Sequence, residues 1–118
     1  MMQAIAEGFA VLKKSEFNIG LTEASRVYNN QSVIQSRLIE WLMNAYKTHG
    51  ESLEGVSGEV DSTGEGAWTV EAAKHLGVPV PIIEGSLHFR EQSKGNPSYE
   101  GQVLSALRNQ FGGHSFKS

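Results

Sequence analysis

Cysteine is absent from the sequence, so neither a disulfide framework nor a thiolate zinc site is available. A strong charge of either sign is missing too, since 13 acidic against 10 basic side chains leave a formal net charge of -3. A chain that collects phosphates along a nucleic acid needs a basic field, so no nucleic-acid partner is expected. No run approaches ~18 consecutive apolar residues, the minimum for a membrane span. The opening MMQAIAEGFAVLKK has no basic stretch ahead of its apolar part. The expectation is therefore no membrane span, no secretory signal and a cytoplasmic location. Strand alternation and internal repeats are likewise missing.

What remains is helical periodicity in a chain of 118 residues, enough for one small domain with a core. Ile34, Leu38, Trp41, Leu42 and Ala45 recur at steps of three and four, which predicts a central helix over 31–48. Ser32 followed by Gln35 fits a capping box at its start. Before it, Met2, Ile5, Phe9 and Leu12 share one helical face, and Leu21 to Tyr28 reads as a short second helix ended by a turn at Asn29 and Asn30. A helix patterned from the first residues is expected of a piece of something longer. Gly8 inside the first helix marks either a close helix crossing or an opening for a ligand.

From His49 to Gly66 the periodicity fails, and the stretch is rich in glycine and acids with Leu53, Val56 and Val60 as apolar anchors. Glu59, Asp61 and Glu65 lie there without the oxygen spacing of a calcium loop, and no metal is expected. Thr69 can cap a helix over Val70 to Leu76 that Gly77 stops. Pro81 suits the first turn of the next helix, because an amide there has no internal acceptor. After a turn at Gly95 to Pro97, the pattern predicts a last helix over Ser98 to Gln110, closed by Gly112 and Gly113.

No glycine-rich dinucleotide fingerprint, phosphate-loop lysine or catalytic triad stands out. Arg90 and Arg108 each lie near a helix end, where a guanidinium either joins a surface ion pair or makes paired hydrogen bonds to a phosphate or carboxylate. His114 can hydrogen-bond and would tend to be protonated beside an anion. The hydroxyl of Thr69 is either spent on its cap or joins helix-start amides around an anion.

The segments DSTGEGAWTVEAAKHLGVPVPII, SLHFREQS and LSALRNQFGGH, in that order, together with SVIQSRLIEWL, resemble the C-terminal domain of 6-phosphogluconate dehydrogenase. The resemblance implies an all-α, compact multi-helix domain for residues 1–118. In that family the complete enzyme oxidises 6-phosphogluconate with NADP or NAD and decarboxylates it to ribulose 5-phosphate. An upstream Rossmann domain holds the nucleotide, and a lysine and a glutamate before the present stretch move protons. The resemblance therefore implies a substrate-binding and dimerisation domain without its own cofactor site or catalytic residues, inactive by itself. Arg90 matches an arginine on the substrate phosphate and Thr69 a threonine near it. Arg108 and His114 match tail residues that enter the partner's site in a homodimer. Ala67 departs from the pattern, standing where many members carry a phosphate-binding lysine. The alternative expectation is a non-enzymatic helical module that self-associates or pairs with a separate nucleotide-binding domain.

Overall fold

The computed structural model describes residues 1–116, in which every regular element is a helix. They are α1 (Met2–Lys14), α2 (Leu21–Tyr28), α3 (Arg37–His49), α4 (Glu65–Leu76), α5 (Pro81–Ser93) and α6 (Tyr99–Gly112). The all-α expectation holds. Helix α3 packs on α2 and α6, and α6 also packs along α1. Their shared core comprises Phe9, Leu21, Ile39, Leu42, Tyr46 and the α6 run Val103, Leu104, Leu107, all at most 3 % exposed. Burying a side chain of this size contributes roughly 1.5–3 kcal/mol, so this cluster is the main source of stability.

The anchors of the long loop behave as their spacing predicts. Leu53, Val56 and Val60 are buried in the same core. Their backbone is held by side chains from later helices: the Gln102 amide donates to Leu53 O and Val56 O at 3.0 and 3.1 Å, and Ser105 Oγ donates to Glu59 O. The loop lies so close on the start of α6 that a Cβ at Gly101 would collide with the Gly58 carbonyl, standing 2.8 Å from its carbon. Only glycine permits that approach.

Two helix starts differ from expectation. Helix α3 begins at Arg37, because Ser36 rather than Ser32 accepts from the Ile39 amide. The chain reverses at Gln31, whose φ is 62°, and Asn29 Oδ1 accepts from Ser36 N across the turn. Within that turn the Ser32 hydroxyl donates to Tyr28 O and Gln35 Oε1 accepts from Gln31 N, so both expected capping residues are engaged elsewhere. Helix α4 starts at Glu65, with Gly64 as its N-cap at φ 102°. Thr69 therefore sits inside the helix, where its hydroxyl donates to Glu65 O at 2.8 Å, and does not cap it.

Helices α4 and α5 pack on each other and project from the rest, and of their residues only Val70, Ala73 and Ser93 are buried. The radius of gyration is 14.7 Å. A compact chain of this length would have about 13.5 Å. No helix among the described residues is long and apolar enough to cross a membrane.

Candidate functional site

Of the polar groups singled out from sequence, Arg108 and His114 line one cleft beside the loop, Arg90 lies outside its lining but within reach of the Arg108 charge, and Thr69 stands apart. Arg90 comes from the last turn of α5, and its position is set by Ser93, whose hydroxyl donates to Arg90 O at 2.7 Å and accepts from Val60 N at 2.9 Å. Arg108 comes from α6 and is only 7 % exposed. His114 follows the αL cap at Gly113 (φ 60°), and the Asn109 side chain donates to its carbonyl at 3.0 Å. A Cβ at Gly112 would strike the His114 ring, so that glycine leaves the space into which the imidazole folds back.

Arg108 and His114 line one narrow cleft with Ser57, Glu59, Asp61, Lys94 and Ser105. Its enclosed part is about 30 Å³, room for water and not for a sugar, so a larger ligand would lie across its mouth. The neighbouring acids are already engaged. Asp61 pairs with Lys94, and Glu59 Oε1 accepts from the Gly95 amide at 2.9 Å. Among the described residues, neither the Arg90 nor the Arg108 guanidinium takes part in a hydrogen bond or ion pair.

These charges nevertheless sense one another. Burial first, and then the positive charge of Arg108, lower the pKa of Arg90, with Glu65 pulling the other way. A half-buried and a buried cation near each other, with no bonded counter-ion among the described residues, make an arrangement that an anion would relieve. Glu65, weighed from sequence only as a calcium ligand, is the carboxylate whose charge reaches these cations. Its acidity is increased chiefly by the Thr63 hydroxyl and its own backbone amide, with the charges of Arg108 and His114 adding to this against some desolvation. Its position at the first turn of α4 was the signal available, hidden by the glycines on either side. Lys94, Ser93 and Ser105 carried no signal in sequence at all.

Thr69 lies on the exposed side of α4, one turn beyond Glu65, and does not line the cleft. Ala67, also exposed, adds no polar group. No cluster of three or more histidine or acidic side chains among the described residues could hold a metal ion. The strand-to-helix turn that carries a dinucleotide glycine fingerprint is not found among the described residues, whose regular elements are all helices.

Residues 1–98 match the family profile of the 6-phosphogluconate dehydrogenase C-terminal domain. The chain is 42 % identical over 115 residues to a putative 6-phosphogluconate dehydrogenase of Bacillus subtilis, covering 98 % of this chain and 38 % of that protein. It is 34 % identical over 114 residues to the NAD(+)-dependent, decarboxylating 6-phosphogluconate dehydrogenase of Haloferax volcanii, with 97 % and 38 % covered. A decarboxylating 6-phosphogluconate dehydrogenase of Arabidopsis thaliana is 34 % identical over 96 residues, 75 % of this chain and 20 % of that one. The chain thus spans well under half the length of these relatives. Arg108 and His114 fall beyond the profile match.

Proposed function

Because the chain belongs to the 6-phosphogluconate dehydrogenase C-terminal domain family, we propose that it forms the phosphate-binding part of a 6-phosphogluconate site. Arg90 takes the phosphate together with Arg108 of the same chain, and His114 donates a further hydrogen bond, whereas the resemblance alone would bring Arg108 and His114 from a partner copy. The observation that carries this reading is the pair of guanidiniums, one half-buried and one buried, free of bonded counter-ions among the described residues. Thr69 would join the site only if its hydroxyl turned from Glu65 O toward the ligand. With Ala67 in place of a lysine, the phosphate relies on the two arginines.

In this reading the complete enzyme oxidises and decarboxylates 6-phosphogluconate with NADP or NAD held elsewhere, and two copies associate. These 118 residues then bind the sugar phosphate without turning it over. Calorimetry with 6-phosphogluconate and with gluconate tests the claim. The phosphorylated sugar is expected to bind at least tenfold more tightly, and equal binding of the two would sink the phosphate site. Turnover by the purified chain with either nicotinamide cofactor would overturn the division of labour.

A second reading, a helical self-association module without a ligand, is favoured by the apolar surface of the α4–α5 hairpin. It predicts a stable dimer with no affinity for either sugar.

A further inference from the structure

The joint between α4 and α5 is an apolar point directed into solvent. Leu76, Val78 and Ile82 are 77 %, 52 % and 79 % exposed, and no residue from Gly77 to Ile83 carries a charge. A hairpin that buries so little is not sustained by its own contacts, because short helices depend on tertiary packing of an apolar face. Elsewhere on the chain, α1 and the turn leading into α3 enclose a groove of about 530 Å³. Ile5, Phe9, Val33, Ile34 and Ile39 form its walls, and no charged side chain lines it. Val33 is fully exposed, so this surface also lacks cover.

Gly8 opens the wall of that groove. A Cβ added there would meet nothing within 4 Å, so of the two readings of Gly8 the close helix crossing does not occur among the described residues. A glycine in the middle of a helix costs about 1 kcal/mol relative to alanine. That cost has a use if an apolar side chain from outside must approach the α1 backbone.

We propose that in a dimer of this chain the α4–α5 point of each copy seats in the α1–α3 groove of the other. Neither surface carries a charged side chain, and the amino terminus at Met1 is the one charge among the residues lining the groove, so bringing them together strands no charged side chain away from water. One is convex and the other concave, and a two-fold exchange uses each once and closes at two copies. The exposed apolar side chains at the point, Leu76, Val78, Ile82 and Ile83, present on the order of 400 Å². Doubled by symmetry and matched by the groove walls, this reaches the ~1,200–2,000 Å² of stable protein interfaces.

The inference rests on the self-association proposed above and specifies its surfaces. Sedimentation equilibrium of the 118-residue chain tests it with two variants. Leu76→Asp with Ile82→Asp places charge on the hairpin point; Gly8→Leu fills the groove at a helix position that accepts leucine. The expected result is a wild-type dimer, at least tenfold weaker association for each variant, and a heterodimer when the two variants are mixed, since the pair retains one intact point and one intact groove. Circular dichroism confirms that each variant keeps its helices. A wild-type dimer indifferent to both changes, or a mixture that remains monomeric, would overturn these surfaces while leaving self-association standing. A monomeric wild type would remove both and leave the point and groove to a different polypeptide.

Discussion

Helices α3 and α5 each contain 13 residues, yet α3 buries Ile39, Leu42, Ala45 and Tyr46 whereas α5 buries only Ser93. The first is held by its neighbours. Tyr46 shows how firmly, its ring beside Phe9 and its hydroxyl 3.0 Å from that of Tyr99, with burial raising its phenol pKa far above the ordinary range. The second is defined by local signals, Pro81 at its start and the αL turn at Gly77 before it, and by a hold on the core at its C-terminal end alone. Arg90 sits at that held end, so the proposed anion site belongs to the well-packed part of the molecule even though half of its supporting helix overhangs.

The comparison is most directly broken by matched truncations. Leu42→Ala is expected to cost about 2–5 kcal/mol in urea unfolding, whereas Ile82→Ala should stay within about 0.5 kcal/mol under monomeric conditions. Equal losses would mean that α5 is packed after all. Gly101→Ala comes next, expected to destabilise by about 1–3 kcal/mol because the added methyl must push the loop off α6; an unchanged melting midpoint would show that the loop yields freely.

The site itself calls for a different measurement. Arg90→Gln and Arg108→Gln should each weaken 6-phosphogluconate binding at least tenfold, corresponding to about 1.5–3 kcal/mol for a charged hydrogen bond. Stability should change little, since neither guanidinium is bonded within the described residues. If stability collapses while binding survives, the arginines are structural.

Smaller effects refine the picture. Ser98→Ala removes the hydroxyl that accepts from Gly101 N and should cost about 1 kcal/mol. Glu51 gives a pH signature. Burial works against its ionisation, but the amides of Thr22 and Leu21 outweigh it and lower its pKa below 4.5. A carboxyl with a lowered folded pKa contributes stability above its unfolded value and loses it as pH falls through the folded one. Wild type should therefore lose slightly more stability than Glu51→Gln on acidification from pH ~5 to ~3, measured by thermal melts; parallel curves would remove Glu51 from the account.

How much of this could be read from residues depended on how local each cause was. Helix α2 and the start of α5 follow from signals within a few positions, as does the ending of α4 at Gly77. The start of α3 was misread because Ser32 with Gln35 offers the same chemistry as the true cap, Ser36; the Gln31 reversal and the Asn29 bond make the choice. Helix α4 begins early despite Gly64 and Gly66, whose low propensity hid its first turn. For the site, Arg90, Arg108 and His114 were recognisable as separate candidates. Their mutual influence, and the entry of Glu65 into their field, arise from α4, α5 and α6 converging with the loop, which no local pattern encodes.

The contact between Gly58 and Gly101 also limits how this sequence can drift. What stands in the way of a side chain at 101 is a main-chain carbonyl, and a side chain at 58 would meet the Ser98 backbone 2.7 Å away. Neither obstacle can be trimmed by altering another amino acid. A randomised library selected for folding should therefore return glycine at both places independently, with no compensating pair.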